Sequence, residues 1–152
     1  MQGSEVKIRI GSRDDVDAVL EFWRLAAEGT DRHDSPGKIA ALLDRDPEAL
    51  LIAECGGEIA GTVIAGWDGW RAHLYRLAVH PSHRRKGIAT ALLVKAEARF
   101  AGFGAFRADA MVLHDNTLAH SAWNAAGYAP QPQWSRWVKP LPARTGGPGD
   151  SR

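Results

Sequence analysis

The residues between positions 74 and 93 have the types and the spacing of an anion-binding turn. An extended apolar run is followed by a basic turn, and from Gly87 onward apolar residues recur every four positions, as on one helix face. The cations of this turn are Arg84, Arg85 and Lys86. Glycine lets the backbone approach a ligand, and the N–H groups of a helix start lie at the positive end of the helix dipole. The segment therefore predicts a pyrophosphate-binding site.

Three other groups of residues could carry chemistry. The histidines nearest the turn, His80 and His83, have no Cys or carboxylate partner at zinc-like spacing, so we expect no metal site. Cys55 precedes a tight turn, and this position is more typical of a small packed residue than of a nucleophile. An acidic loop either attracts a cationic amine or is simply a solvated polar segment. Its members are Glu28, Asp31, His33 and Asp34.

Hydrophobic periodicity and turn residues predict the elements that would position the basic turn. The predicted strands cover residues 6–10, 49–55, 58–66, 71–80, 105–113 and 133–138. The predicted helices cover residues 12–28, 35–45, 87–101 and 115–126. Strands and helices in this order indicate an α/β (α+β) fold, in which helices cover a mixed sheet.

Length and composition describe one folded domain. The chain has 152 residues, of which 45% are hydrophobic and 24% are charged. We expect a single domain over residues 1–140 and a disordered, Gly- and Pro-rich tail over residues 141–152. A net charge of +1 argues against a nucleic-acid partner. One cysteine and the lack of a long apolar run favour a cytoplasmic protein without membrane contact.

A second motif narrows the interpretation of the basic turn. Arg84-x-x-Gly87-x-Ala89 is followed by Asn116-x-x-Ala119-x-x-x-Trp123-x-x-x-Gly127-Tyr128. In this order, and with a strand before the first motif and helices within both, the sequence resembles the GNAT superfamily of acyl-coenzyme A N-acyltransferases, most closely its small single-domain bacterial members. The resemblance implies a mixed, mainly antiparallel central sheet of six to seven strands, flanked by about four helices. It also implies acetyl-CoA or coenzyme A as co-substrate.

The resemblance assigns roles to individual positions. It implies that the backbone of Leu77, Ala78 and Val79 pairs with the pantetheine arm, and that an N–H near Val79 stabilises the oxyanion. Asn116 would bind the pantetheine or position the end of the neighbouring strand. Trp123 would line the acyl pocket or fill the core. The pyrophosphate would be held by the segment Arg84, Arg85, Lys86, Gly87, Ile88 and Ala89.

Two positions depart from the family pattern. Trp123 stands where many members have a tyrosine that protonates the leaving thiolate, and Met111 stands where one protein-acetylating subtype has a glutamate base. An amine with a pKa near 10.4 is about 3 units above neutral pH, so its deprotonation adds roughly 4 kcal/mol to the barrier. The candidate groups that take this proton, directly or through water, are Tyr75, His73 and His120.

The resemblance thus implies an acetyl-CoA-dependent N-acetyltransferase that transfers the acetyl group directly to a primary amine of a small molecule or peptide. The alternatives are a non-catalytic acyl-CoA-binding module and a protein N-terminal or lysine acetyltransferase. The oligomeric state is open, and a homodimer is one of the expected states.

Overall fold

A computed structural model of the chain describes residues 5–26 and 34–142. These residues form five strands and four α-helices. The strands are β1 (Val6–Ile10), β2 (Leu50–Cys55), β3 (Glu58–Trp67), β4 (Ala72–Val79) and β5 (Ala108–Ala110). The helices are α1 (Val16–Ala26), α2 (Pro36–Arg45), α3 (Ile88–Gly102) and α4 (Thr117–Ala125). Within this part of the chain, none of the helices is both long and apolar enough to cross a bilayer.

The strands form one sheet in the order β1-β2-β3-β4-β5. The first three contacts are antiparallel, whereas β4 and β5 run parallel. This mixed sheet with four flanking helices confirms the predicted fold class, although the described residues contain five strands instead of the expected six to seven. Because parallel strands need a crossover, the chain between β4 and β5 forms helix α3 on one face of the sheet.

Local sequence explains where several elements begin. Ser12 and Asp15 form the predicted capping box, which opens a short 3-10 turn that leads into α1. Ser35 caps α2 through its side-chain oxygen. Gly56 and Gly57 have φ values of 61° and 82°, as a two-residue type I′ hairpin turn between β2 and β3 requires.

The sheet separates two apolar cores. On one face, α3 and α4 pack on the sheet, and Leu92 and Leu93 are fully or almost fully buried there. On the other face, α1 and α2 pack on the sheet around Val19, Trp23 and Ile39. Strand β4 contributes to both cores, so its side-chain alternation decides which residues face each layer of helices.

A β-bulge in β4 changes that alternation. Thr62 of β3 is opposite Ala78, whereas Ile64 is opposite Tyr75, so β4 has one extra residue between the two pairs. Before the bulge the even-numbered residues of β4 pack toward α3, and after it Ala78 packs toward α1. Arg76, inside the bulge, has a φ of 53°, which lies in the left-handed region and is uncommon for a residue with a side chain.

The predictions for the C-terminal part of the chain were partly wrong. The strand predicted over residues 133–138 does not form, and these residues are exposed without a ladder. At the sheet edge β5 pairs with β4 over only three residues, and among the described strands none pairs with residues 133–138. The strand predicted over residues 105–113 is also shorter in the structure, where it covers only Ala108–Ala110.

Two further predictions fall on residues that are not described. Most of the tail predicted to be disordered, residues 143–152, lies outside the described part of the chain. So do three members of the acidic loop, namely Glu28, Asp31 and His33.

The close approach of β3, β4 and α3 at Gly61 gives a stability prediction. A Cβ atom there would lie 3.0 Å from the Ala78 carbonyl oxygen and 3.0 Å from Cγ2 of Ile88. We expect Gly61→Ala to lower the free energy of unfolding by about 1–3 kcal/mol in urea denaturation, because backbone has to move. Gly102→Ala is the control, since its Cβ meets nothing within 4 Å, and it should be neutral or slightly stabilising. Equal stability of the two variants would contradict this packing.

Candidate functional site

One edge of β4 opens into a gap where the ladder to β5 ends. The two strands pair only from Ala72 to Leu74 of β4, and beyond Leu74 no described strand covers this edge. The N–H of His80 donates to the Ala60 carbonyl of β3 at 2.8 Å. Because neighbouring residues of a strand direct their N–H groups to opposite sides, the N–H of Val79 points into the gap. An extended ligand can pair with this edge as an added strand does.

The basic turn after β4 has a concave backbone. Arg85 and Gly87 have φ values of 63° and 79°, both in the left-handed region. Gly87 is the N-cap of α3 and provides no side-chain cap, so the N–H groups of Ile88 and Ala89 face the turn without a side-chain acceptor. Successive N–H groups in such a turn, at the positive end of a helix dipole, form an anion-binding site.

The three cations of the turn differ in their surroundings. Arg84 is half-buried, and its Nε donates to the carbonyl oxygen of Val79 at 3.2 Å, which ties the turn to the end of β4. Arg85 and Lys86 are exposed. Arg84 thus holds the turn against β4, whereas Arg85 and Lys86 are the exposed charges of the turn.

A cavity of about 300 Å³ lies against the same strand, on the face covered by α1 and α2. Its polar lining comes from Asp34, Lys38, Tyr75 and Arg76, and its apolar wall includes Trp23. Regular alternation would direct Tyr75 and Arg76 to opposite faces of the sheet. Both line this cavity because the bulge turns Arg76 toward the helices.

Several contacts hold Arg76 in its unusual conformation. Its Nη2 donates to Asp34 at 2.6 Å, and its guanidinium lies over the Trp23 ring at 5.7 Å from the centroid. Its carbonyl oxygen accepts a hydrogen bond from the buried Thr62 hydroxyl at 2.9 Å. The hydroxyl oxygen of Thr62 in turn accepts a hydrogen bond from the Trp23 indole N–H at 2.8 Å. The site thus fixes both the backbone and the charged end of Arg76.

A polar cluster borders this cavity at Tyr75. Nδ1 of His73 lies 2.7 Å from Asp109, its partner across the β4–β5 ladder, and Nε2 lies 3.5 Å from Asp68. The Tyr75 ring is 6.0 Å from the His73 ring. Burial, and then the negative charges of Asp109 and Asp68, raise the pKa of Tyr75 above its usual value of 10. Tyr75 therefore remains a neutral phenol at physiological pH.

The remaining predicted site residues lie on or beside α4. Asn116 is the N-cap of α4, and its side-chain oxygen accepts from the Ala119 N–H at 3.0 Å, which leaves its NH₂ group to meet a ligand. Trp123 is 8% exposed in the core, with its ring against Tyr128. Nε2 of His120 donates to the carbonyl oxygen of Leu113 at 2.9 Å.

The structure brings these residues together in two groups. His73, Tyr75 and Arg76 share the cavity side of β4, whereas Asn116 and His120 belong to the α4 end of the molecule. The described residues contain no cluster of three or more potential metal ligands.

Residues 16–128 of the chain match the acetyltransferase (GNAT) family. The chain belongs to the GNAT acetyltransferase family. The match covers both motifs, and it confirms the family resemblance and the prediction of an acyltransferase.

Relatives and solved structures agree with the family assignment. An acetyltransferase of Pectobacterium atrosepticum is 38% identical over 111 residues, which are 73% of this chain and 79% of that protein. The structure of diaminobutyrate acetyltransferase from Paenibacillus lautus, with L-2,4-diaminobutyric acid and coenzyme A, is 28% identical, covers 81% of this chain and 75% of its own, and has a TM-score of 0.70.

A third likeness concerns the fold alone. The PaiA N-acetyltransferase of Thermoplasma acidophilum, solved with coenzyme A, has a TM-score of 0.74 over 84% of this chain and 91% of its own, at 20% identity. The predicted co-substrate, coenzyme A, is thus a ligand in both of these GNAT structures.

The sequence interpretation of this GNAT chain missed Arg76 and its supports Trp23 and Thr62. Strand alternation alone assigns Arg76 to the wrong face. The sequence does contain a signal, because the apolar residues Leu74 and Leu77 are three apart instead of two. This spacing indicates an extra residue in β4.

A substitution at Gly87 tests whether the basic turn binds the pyrophosphate of coenzyme A. A Cβ at Gly87 meets nothing within 4 Å, so a larger residue would fold with backbone strain only. We expect Gly87→Glu to abolish the thermal shift that coenzyme A produces, because the carboxylate repels the pyrophosphate. Gly104→Glu, at a φ of 85° and equally open, is the matched control and should keep the shift. A full shift in Gly87→Glu would exclude this turn as the pyrophosphate site.

Proposed function

We propose that the chain transfers an acetyl group from acetyl-CoA to a primary amine of a small molecule, directly and without a covalent enzyme intermediate. One observation carries the proposal. The second half of β4 borders the open gap along its edge and the cavity of about 300 Å³ on its α1–α2 face. Donor and acceptor would therefore meet at the bulge, with positioning supplying much of the rate.

The gap suits the donor. The added-strand edge of β4 would pair with the pantetheine arm, and the N–H groups between Gly87 and Ala89 would hold the pyrophosphate, with Arg85 and Lys86 adding charge. Bound acetyl-CoA supplies an activated thioester. The Val79 N–H, which points into the gap, is the donor we assign to the thioester carbonyl oxygen. Asn116, the N-cap of α4, would contribute its NH₂ group.

The polar cluster suits the removal of the amine proton. When Nδ1 of His73 donates to Asp109 at 2.7 Å, Nε2 carries the lone pair and can take a proton. The cation so formed would be stabilised by Asp109 and by Asp68. Tyr75 lines the cavity, and its ring is 6.0 Å from the His73 ring. Its raised pKa keeps the hydroxyl protonated, so we assign Tyr75 the role of passing the proton on and not that of a phenolate base.

Direct transfer is supported by the position of the cysteine. Cys55 ends β2, which is separated from β4 by β3, and it does not line the cavity. A covalent acyl-cysteine would have to form away from the gap.

A small acceptor is supported by the size of the cavity. About 300 Å³ is at the lower end of ligand pockets, and it is closed on one side by α1 and α2. The Paenibacillus lautus neighbour has diaminobutyric acid, also a small amine, as its substrate. A protein N-terminal or lysine acetyltransferase remains the alternative acceptor class.

The proposal is tested by thiol release from acetyl-CoA across a panel of small amines and peptides, with mass spectrometry of the products. We expect acetylation of small primary amines above the rate without protein. Coenzyme A binding without turnover on any amine would instead support a non-catalytic acyl-CoA-binding module. Faster turnover on peptides than on small amines would favour the protein-acetylating alternative.

The role of His73 predicts a pH dependence. We expect His73→Gln to lower kcat at pH 7 by about 10²- to 10³-fold. The deficit should shrink as the pH rises toward the amine pKa of about 10.4, because the acceptor then arrives deprotonated. His114→Gln, an exposed histidine outside the cluster, is the control and should follow the parent profile. A deficit that is constant with pH would show that His73 does not take the proton.

A further inference from the structure

We infer that the acceptor carries a carboxylate as well as an amine, and that Arg76 binds this carboxylate in the cavity. The inference rests on the proposed acetyltransferase function and names the acceptor class of the same site. It starts from Arg76, the cation that the β4 bulge turns into the cavity.

Several N–H donors of the Arg76 guanidinium remain available to a ligand. Its side chain is 29% exposed, and its one hydrogen bond to a described residue runs from Nη2 to Asp34. A guanidinium has five N–H donors in a planar fork that fits a carboxylate with two parallel bonds. Asp34 thus orients the fork and leaves donors that face the cavity.

The conformation of Arg76 is fixed before any ligand arrives. The Thr62 hydroxyl binds its carbonyl oxygen, and the Trp23 ring lies beneath its guanidinium. A left-handed φ of 53° at a non-glycine residue is a strained feature that persists where the surroundings enforce it. A preorganised cation loses little side-chain entropy on binding, so it can contribute its full hydrogen bonds to affinity.

The charge of the cavity also favours an anionic group. Its described charged residues are Asp34, Lys38 and Arg76, which leave one positive charge in excess. The N-terminus of α2, with the positive end of its dipole, lies between Asp34 and Lys38. Lys38 forms no ion pair with any described carboxylate. A ligand carboxylate would therefore have two cationic partners, Arg76 and Lys38, in the lining.

The lining of the cavity contains a partner for each functional group of such an acceptor. Arg76 and Lys38 would hold the carboxylate, while the amine would extend toward Tyr75 and the polar cluster behind it. A volume of about 300 Å³ suits a molecule the size of a single amino acid. The site would thus accept the free amine of an amino-acid-like compound.

The test compares acceptors that differ only by the carboxylate. The pairs are L-2,4-diaminobutyrate with 1,3-diaminopropane, L-ornithine with putrescine, and L-lysine with cadaverine. We expect kcat/KM to be about 10- to 100-fold higher for the carboxylated member of at least one pair. In Arg76→Gln this preference should fall to near unity, mainly through KM, because the fork that binds the carboxylate is lost.

Matched variants separate binding from folding. Arg76→Lys can keep the ion pair with Asp34 and should retain a reduced preference for the carboxylated acceptor. Lys38→Gln, at an exposed position, should also reduce this preference without affecting the fold. Arg24→Gln, an exposed residue of α1, is the control and should keep the full preference. Each variant should keep its thermal shift with coenzyme A.

The outcomes distinguish this inference from the function on which it rests. Decarboxylated amines acetylated as well as their partners would overturn the carboxylate site while the acetyltransferase function stands. If no amine is acetylated, the function fails, and calorimetry on the coenzyme A complex still decides the inference. Binding of the amino acids, weakened in Arg76→Gln, would then support it, and equal binding of the diamines would overturn it.

Discussion

The architecture of the site depends on one extra residue in β4. A regular strand would continue its side-chain alternation and would leave Arg76 on the face opposite Tyr75. The bulge turns both side chains into the cavity and directs Ala78 into the core beneath α1. The strain at Arg76 is offset by Thr62, Trp23 and Asp34, so those three residues maintain the bulge at which we propose that donor and acceptor meet.

The two sides of β4 use different chemistry. On the gap side the groups that can bind are mainly backbone N–H groups, from the end of β4 and the start of α3. Recognition by backbone N–H groups requires that the turn keep its conformation, which depends on one glycine. The other side chains of the turn can change without loss of these N–H groups. On the cavity side the groups are side chains, namely Asp34, Lys38, Tyr75 and Arg76. In the function we propose, donor recognition therefore depends mainly on the backbone, whereas acceptor choice depends on the side chains of the cavity.

This division explains how far the sequence could be interpreted. Gly87 and the period of α3 predict the turn, and Gly56-Gly57 predicts the β2–β3 hairpin, because these signals are local. The cavity could not be predicted, since it depends on α1, α2 and a bulge that are distant in sequence. The prediction of a strand over residues 133–138 was wrong because local alternation cannot show whether a neighbouring strand is present to pair with it.

A crystal structure with coenzyme A would show whether β4 brings donor and acceptor together. We expect the pantetheine amides to pair with the open edge of β4 at Val79 and the pyrophosphate to contact the N–H groups beside Gly87. The sulfur should lie at the bulge, within reach of the cavity next to Tyr75. Coenzyme A bound elsewhere, or a sulfur separated from that cavity by the sheet, would contradict this arrangement.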